Sequence, residues 1–395
     1  MDFANVYLDN NATTKVAPEV LEAMLPYFCQ KYGNPSSMHS FGGSLARDME
    51  RAREQVADLL NCDPVEIVFT SCGSESDNFA LRGLIDAFPE RRHIVTTAVE
   101  HPAVKNQVPY LRKKGIRVTE LKVDRRGNLD LEELKAAIEA ETLLISCMFA
   151  NNETGVTFPV REIGEIAREK GVFFHTDAVQ AVGKIPVDLH DLPVDLLAFS
   201  GHKFHAPKGV GGLFIRRGTK IRPFIIGGHQ ERSRRGGTEN LPYIVGLGRA
   251  AELAKTNLIL EETQVRALRA KLEAGVLARI PDAEVNGDRE HRVPNTTNIG
   301  IYYIEGEALL LALDRHHIAA STGSACASGS LQPSHVLRAM GVPLTCVHGS
   351  LRLSLSVYNS EAEIDYVLEV LPKIVAELRE ISPFHTMEEI RAFGA

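Results

Sequence analysis

The sequence predicts an α/β fold in which a large domain with a mainly parallel sheet is joined to a smaller α+β domain. Between residues 66 and 216, short apolar runs alternate with segments of helical periodicity. Such alternation indicates parallel strands joined by crossover helices. Near Asn257 the composition changes and a long charged helix leads into a differently ordered part. We therefore expect a large domain over residues 15–256 and a small domain built from residues 1–14 and 257–395.

The elements are predicted in chain order from an extended segment at VYLDNNATT, which precedes a helix beginning at Pro18. Proline is tolerated in the first turn of a helix. The first part is predicted to hold helices over 18–31, 44–60, 75–84, 102–114, 131–139 and 159–170. Its strands are predicted over 66–71, 93–98, 117–121, 143–148, 172–175, 196–199 and 211–216. The second part is predicted to hold strands over 294–304, 318–321 and 351–357, and helices over 257–280, over 306–314, up to about residue 340, and over 360–380.

Composition narrows the class of protein. The chain has 395 residues, of which 44% are hydrophobic, and a net charge of −7. An acidic balance disfavours nucleic acid and an anionic membrane as main partners. The opening residues show no basic-then-apolar pattern and no apolar run reaches membrane-spanning length, so we expect a cytoplasmic protein. The six cysteines form no Cys-x-x-Cys pair, which argues against a structural zinc site.

The stretch DLLAFSGHKFHAPKG, residues 195–209, places a lysine just after a buried strand. The apolar run ends at Ser200, and Lys203 follows. A lysine in a partly desolvated pocket loses its proton more easily and can hold a carbonyl compound as a Schiff base. The alternative interpretation is a surface lysine in a turn.

Polar residues follow several other predicted strands. In parallel sheets, ligands collect outside the carboxyl ends of the strands, so these residues are candidates for one shared site. The groups at the strand ends are Gly73 with Ser74, Glu100 with His101, Asn151 to Glu153, Asp177 with Gln180, and Ser200 to Lys203.

Pyridoxal phosphate is one cofactor that needs all of these groups. It requires a lysine for its aldehyde, an anion cradle for its phosphate and an acid beside its ring nitrogen. The candidates are Lys203 for the aldehyde, Asp177 for the ring nitrogen, Gln180 for the ring hydroxyl, His101 for stacking on the ring, and Gly73, Ser74, Ser200 and His202 for the phosphate. Simpler interpretations stay open: His101 and Ser74 could cap helices, Asn152 and Asp177 are common in turns, and His202 could be a loop histidine.

Two loops stand apart from this pattern. Cys326 is flanked by small residues in GSACASGS, which gives a thiol the access that it needs to react as a thiolate; the alternative is a free cysteine in a loop. The basic, glycine-rich loop at residues 227–240 has no interleaved aromatic residues, so a solvated loop or an intersubunit contact is favoured over nucleic-acid binding.

The chain also carries a resemblance to a known family through motifs that span nearly all of it. These motifs are YLDNNATT, GNPSSMHSFG, TSCGSESDN, VEHPAV, ANNETG, HTDAVQAVGK, SGHKFHAPKGVG, GGHQERSRRGGTEN, GSACASGSLQPSHVLRAMG and HGSLRLSLS. In them the chain resembles the cysteine desulfurases, class-V aminotransferase-like enzymes with the fold type I of pyridoxal-phosphate-dependent transferases. TSCGSES and GGHQERSRRGGTEN are most similar to the NifS branch, which serves nitrogenase maturation.

The resemblance implies a role for each matching residue. Lys203 would hold the cofactor aldehyde, Asp177 would pair with the ring nitrogen, and His101 would stack on the ring and move protons. Asn152, Arg352 and Asn34 would bind the substrate. The remaining cofactor contacts would be Gly73, Ser74, Asn152, Gln180, Ser200, Gly201, His202 and, from the second subunit of a homodimer, Thr238.

The implied activity is conversion of L-cysteine to L-alanine, with the sulfur carried as a persulfide on Cys326. The acceptor would be an Fe–S scaffold protein, with which Cys326 could transiently share a cluster; no resident metal is expected. Ala327 and Gln332 depart from the family pattern, which leaves loop dynamics and choice of acceptor open. The rival interpretations are another enzyme of this fold, such as an aminotransferase or a selenocysteine lyase, and a non-catalytic scaffold that binds a sulfur-transfer partner.

Overall fold

The structure is a computed structural model that describes residues 5–322 and 333–383. Its strands are β1 Val6–Tyr7, β2 Ile67–Thr70, β3 His93–Thr97, β4 Arg117–Leu121, β5 Thr142–Ser146, β6 Phe173–Asp177, β7 Leu196–Ser200, β8 Gly211–Ile215, β9 Ala283–Val285, β10 Thr296–Ile301, β11 Ile318–Ala319 and β12 Ser350–Ser354. Its helices are α1 Pro18–Met24, α2 Pro26–Cys29, α3 Ser40–Gly43, α4 Ala46–Leu60, α5 Gly73–Ala87, α6 Pro102–Lys105, α7 Gln107–Lys113, α8 Leu131–Ala137, α9 Val160–Lys170, α10 Gln230–Ser233, α11 Leu241–Leu260, α12 Arg266–Arg279, α13 Gly306–Arg315, α14 His335–Ala339, α15 Leu344–His348 and α16 Glu361–Glu380.

The main sheet has seven strands in the order β2-β8-β7-β6-β5-β3-β4. Neighbouring strands from β4 through to β7 are parallel, whereas β8 runs antiparallel to both β7 and β2. Because two reversals restore the direction, β2 runs the same way as β7. The carboxyl ends of six strands therefore meet at one edge, as the α/β prediction requires.

Both faces of this sheet are covered, because its strands are apolar at successive positions rather than at alternate ones. The first face packs around residues such as Val68, Ile94 and Leu196, together with Phe79 of α5. On the opposite face lie their neighbours in sequence, including Phe69, Val95, Ile145, Leu197 and Phe199. Because successive side chains of a strand point to opposite faces of the sheet, consecutive residues pack into different cores.

A further core, separate from the two on the faces of the main sheet, lies around the antiparallel sheet β12-β10-β9. It includes Val6 and Leu8 from the start of the described chain, and β1 pairs in parallel with β11. Helix α11, which packs against α4, continues through a π-helical turn over Glu261–Val265 into α12, which packs against α16. The division into domains at residues 15 and 257 stays a prediction, supported by these separate cores.

Several predicted elements differ from the structure in their bounds. The helix predicted over 18–31 is divided at Leu25, because Pro26 begins a new helix and has no N–H to donate. The helix predicted over 102–114 is divided at Asn106. The helix predicted to begin near Asn257 begins instead at Leu241, where Pro242 occupies the first turn. Within the described ranges, no helix has the length and apolar character needed to cross a membrane.

Candidate active site

A cleft of about 910 Å³ opens at the carboxyl edge of the main sheet. It collects side chains and backbone from the turns that follow β2, β3, β5, β6 and β7, and one arginine from the second sheet. Its lining residues are Asn11, Ala12, Cys72, Gly73, Ser74, Asp77, His101, Met148, Ala150, Asn152, Asp177, Val179, Gln180, Ser200, His202, Lys203 and Arg352.

Lys203 reaches this cleft from a short 3-10 helix, Gly201–Lys203, directly after β7. Its Nζ donates hydrogen bonds to the carbonyl oxygens of Asn11 at 2.6 Å and Ala12 at 2.7 Å. Both acceptors lie in the turn after β1, so the lysine joins the main sheet to the start of the chain. The strand places an amine at the point where parallel sheets bind ligands.

The N-terminus of α5 faces the same cleft and fits an anion. Its N-cap is Cys72, whose side chain makes no capping hydrogen bond, so the first-turn N–H groups are left for a ligand. The buried Oγ of Ser200 has no hydrogen-bond partner among the described residues. A Cβ built on Gly73 would lie 2.6 Å from Val179 and 3.6 Å from Ser200, so glycine keeps this cradle open. These groups fit a phosphate.

The alternative interpretation of Ser74 as the N-cap is therefore wrong, because the N-cap is Cys72 and the helix begins two residues earlier than predicted, at Gly73. The capping interpretation of His101 is correct, since its Nδ1 accepts a hydrogen bond from the backbone N–H of Ala103 at 3.1 Å. Capping and a role in the cleft are compatible here. With Nδ1 held as an acceptor, the neutral ring carries its proton on Nε2.

Three titratable groups meet at the floor of the cleft: the candidate ligand atoms of Asp77, His101 and Asp177 all lie within 4.8 Å of one another. Burial raises the pKa of Asp177, while His101, the backbone N–H of Val179 and Lys203 act in the opposite direction. Burial also lowers the pKa of His101, which Asp177 opposes. A cation placed beside Asp177 would offset the cost of its buried charge, and a protonated ring nitrogen is such a cation.

The spacing of this cluster would also fit a metal ion, and its two carboxyl groups differ in their surroundings. Burial, reinforced by Asp177 and Glu100, raises the pKa of Asp77 well above its usual range. On its far side Asp77 contacts His175, whose Nε2 lies 3.4 Å from Oδ1. Burial lowers the pKa of His175 to about 3. A neutral Asp77 and a neutral histidine leave Asp177 as the carboxylate for one positive charge.

A carboxylate-binding group lies on the opposite wall. Arg352 of β12 is buried, and its side chain forms an ion pair with Asp9. It also donates to the carbonyl oxygen of Asn152, whose own Oδ1 is buried without a hydrogen-bond partner among the described residues. An arginine fork and an unsatisfied amide are suited to a substrate carboxylate and its polar neighbours.

Beneath Lys203 lies a network centred on Asn11. Its carbonyl oxygen accepts from Lys203 and from Gln180, and its side-chain Oδ1 accepts from the buried Lys184. Its Nδ2 donates to Thr296 of β10 at 2.8 Å. One asparagine thus links the reactive lysine, the expected ring partner Gln180 and the second sheet.

Three of the expected site residues that the structure describes do not line the cleft. Gly201 is buried against Ala206 and Leu247 rather than lining the cleft, and Asn34 is exposed, with its side chain accepting from the backbone of Ser36. Thr238 is exposed beside a different pocket, near Arg235. Cys326 lies outside the described residues. Their assigned roles stay predictions.

Sequence reasoning missed Asn11, Asp77 and Lys184, although all three lie inside the quoted motifs. Asn11 follows the first strand and Asp77 lies one turn into a helix, positions at which polar residues are common for structural reasons alone. Their contacts join residues far apart in the chain: Lys203 lies 192 residues after Asn11. A local pattern holds no signal for such pairs, and the burial of Lys184, which is 4% exposed, is visible only in the structure.

Comparisons with known proteins identify the family of the chain. The family model for class-V aminotransferases matches residues 6–367. A cysteine desulfurase of Trichormus azollae is 59% identical over 386 residues, which cover 97% of this chain and 96% of that protein. The cysteine desulfurase NifS of Azotobacter vinelandii is 54% identical over 382 residues, with coverage of 96% and 95%. A solved NifS-like protein superposes with a TM-score of 0.89 at 43% identity, covering 95% of this chain and 100% of that one.

Proposed function

Because the chain belongs to the class-V aminotransferase family and, within it, to the pyridoxal-phosphate-dependent cysteine desulfurases, we propose that it converts L-cysteine to L-alanine and passes the sulfur on as a persulfide. The observation that carries this proposal is the single cleft shared by Lys203, Asp177, His101, the open N-terminus of α5 and Arg352.

The residues present fit the cofactor. Bound pyridoxal phosphate supplies an electron sink through its protonated ring. Lys203 would hold its aldehyde and Asp177 its ring nitrogen. The phosphate partners would be the first turn of α5 with the unpartnered hydroxyl of Ser200.

The protein groups then divide the remaining work. Arg352 and Asn152 bind and orient the substrate carboxylate. Lys203, when its amine is released, can take the proton from Cα of the substrate, because an amine freed in a buried site is a competent general base. His101, which lines the cleft and carries its proton on Nε2, can deliver a proton to the substrate.

Sulfur transfer requires a second thiol, and we propose Cys326 for this role. Its thiolate attacks the sulfur of the substrate, so that an S–S bond forms as the C–S bond breaks. The electron pair of the C–S bond stays on Cβ, which takes up a proton and becomes the methyl group of alanine. Cys326 is left as the persulfide.

The finer assignments are also proposals. The acceptor of the sulfur would be an Fe–S scaffold protein, in support of nitrogenase maturation, within the cytoplasm. Similarity to a protein named NifS supports this branch. A homodimer would bring Thr238 of one subunit to the cleft of the other; its exposed position outside the cleft of its own chain supports this.

The decisive experiment measures both products of the reaction. The purified chain, incubated with L-cysteine and dithiothreitol, should release sulfide and alanine in equal amounts. Cys326→Ala should keep the visible absorption of the bound cofactor and lose sulfide release, whereas Cys29→Ala, at an exposed position, should retain it. Full sulfide release by Cys326→Ala would rule out the persulfide route.

A second measurement separates an enzyme from a non-catalytic scaffold. Borohydride reduction followed by peptide mass analysis should place a pyridoxyl group on Lys203. The neighbouring Lys208, which is exposed, serves as the internal control and should stay unmodified. Absence of any adduct would favour the scaffold, while formation of a 2-oxo acid from L-cysteine in place of alanine and sulfide would favour transamination by an enzyme of this fold.

A further inference from the structure

A second lysine is buried beside the reactive one, and neither the proposed chemistry nor the binding of the substrate uses it. Lys184 follows β6 and is 4% exposed. Its Nζ donates to Oε1 of Gln180 at 2.6 Å and to Oδ1 of Asn11 at 3.0 Å. Both acceptors are uncharged amides. Burial of an ammonium group without a hydrogen-bonded carboxylate is costly, so a lysine held in this way calls for a physical reason.

The first consequence concerns the side chain of Gln180. An amide can be turned by 180° with little change in shape, but an ammonium group only donates hydrogen bonds. The atom of Gln180 that faces Lys184 must therefore be the oxygen. Its Nε2 then donates one hydrogen to the carbonyl of Asn11 at 3.0 Å, which leaves the second N–H as the donor that the amide offers to the cleft.

The second consequence concerns charge. Asn11 accepts from Lys184 through its side chain and from Lys203 through its backbone, so the two amines share one residue. Burial, reinforced by the positive charge of Lys203, lowers the pKa of Lys184 to about 7. Because repulsion between two amines is mutual, the charge on either one disfavours a charge on the other.

Other charged groups surround this pair. Glu261, in the π-helical turn, favours the charged form of Lys184, and burial raises the pKa of this carboxyl to about 8. Arg352 of β12 lowers the pKa of Lys184. Lys184 in turn lowers the pKa of His202 and of His205, which both follow β7.

We propose that Lys184 is a positioning residue: it orients the Gln180 amide so that an N–H faces the ring oxygen of bound pyridoxal phosphate, and its positive charge disfavours protonation of the Lys203 nitrogen. This inference rests on the proposed function, because it takes the cleft to hold that cofactor. Lys184 thus acts on the orientation of Gln180 and on the protonation of Lys203 without contacting the substrate.

The test is the pH titration of the visible absorption band of the cofactor-loaded protein without substrate. Lys184→Met keeps an unbranched side chain, one atom shorter, but removes both the charge and the donors. We expect the midpoint of the titration to rise by about one pH unit, a tenfold change in proton affinity. Lys184→Arg, which keeps a cation and N–H donors, should restore the midpoint at least in part.

A matched control is Lys255→Met, which removes a surface lysine paired with Asp58 and should leave the midpoint unchanged. Thermal unfolding and cofactor content show whether each variant is folded and loaded; Lys184→Gln provides a second neutral variant if Lys184→Met is unstable. A midpoint within about 0.2 units of the parent value in a folded, loaded neutral variant would overturn the inference.

This outcome differs from failure of the proposed function. If the parent protein takes up no pyridoxal phosphate, the proposed function fails. If the parent protein binds the cofactor and titrates normally while the neutral variants titrate in the same way, only the role of Lys184 fails. A weaker affinity for added pyridoxal phosphate in Lys184→Met, measured by equilibrium titration, would support the orientation of Gln180 independently of turnover.

Discussion

Nη2 of Arg352 lies 2.7 Å from Oδ1 of Asp9, and Nη1 of the same guanidinium donates to the carbonyl oxygen of Asn152 at 3.0 Å. Two groups on different parts of the chain thus fix the plane of the fork before any substrate binds. Orientation in advance reduces the entropy lost on binding.

Replacing the fork by a single charge should weaken substrate binding. In Arg352→Lys, the ammonium cannot bond Asp9, Asn152 and a carboxylate in one plane. We expect KM for L-cysteine to rise on the order of tenfold or more, with the cofactor absorption unchanged. Steady-state kinetics test this, with Arg125→Lys at an exposed ion pair as control. An unaltered KM would contradict the assignment of Arg352.

Closing the cradle at the start of α5 should weaken cofactor binding. Gly73→Ala places a Cβ 2.6 Å from Cγ2 of Val179, so either the first turn of the helix or the side chain of Val179 must shift. We expect the dissociation constant of pyridoxal phosphate to rise about tenfold. Adding Val179→Ala removes the clashing methyl and should recover much of the affinity. Normal affinity in the single variant would show that the phosphate is held elsewhere.

Stability should depend on pH through His175. Burial lowers the pKa of this histidine to about 3 in the folded protein, whereas the pKa of a histidine in an unfolded chain is about 6.5. Its stabilising effect is therefore complete above about pH 6.5 and is lost as the pH falls toward 3, with a slope that approaches about 1.4 kcal/mol per pH unit.

The variant His175→Gln removes this proton uptake. Its free energy of unfolding, measured by denaturant titration at about pH 7, 6, 5 and 4, should fall less steeply with acid than that of the parent. His190→Gln, at an exposed position, is the control and should retain the parent slope. Parallel curves for the parent and His175→Gln would argue against a neutral, buried imidazole.

The loop that carries Thr238 should depend on one buried ion pair. Arg53 and Glu231 lie 2.8 Å apart with side-chain exposures of 1% and 3%, and the backbone N–H of Phe69 also donates to Glu231. Arg53→Met leaves a buried carboxylate without its counter-ion, so we expect a loss of about 3–5 kcal/mol in the free energy of unfolding.

The double variant Arg53→Met/Glu231→Gln removes the stranded charge and should recover part of that loss. Arg249→Met, which breaks an exposed pair with Glu252, should cost at most about 1 kcal/mol. Chemical denaturation of the four proteins measures these differences. Equal stability of the single and double variants would mean that Glu231 becomes protonated or solvated once Arg53 is gone.

Sequence reasoning predicted the strands of the main sheet well, because their signal is local. The run Leu196 to Phe199 predicted a buried strand, and β7 spans Leu196–Ser200. Bounds were less accurate where two signals competed. The change in composition near Asn257 predicted a helix start there, but the helix begins at Leu241 and continues through that change without a break.

For the site, the residues at strand ends were predictable because topology alone brings such positions together. Asp177, Gln180 and Lys203 indeed line one cleft. The residues that orient them were not predictable. Lys184 lies on a turn with no periodic pattern, and its role depends on Asn11, which lies 173 residues earlier in the chain.

The π-helical turn at Glu261–Val265, between α11 and α12, places a carboxyl group close to the amines of the site. Glu261 lines a small cavity together with Lys184 and Lys203, and the turn is the junction between the segment packed on α4 and the segment packed on α16. Any flexing of that junction alters the separation of the carboxyl group from the two amines. A change in that separation would change the electric potential at the Lys203 nitrogen.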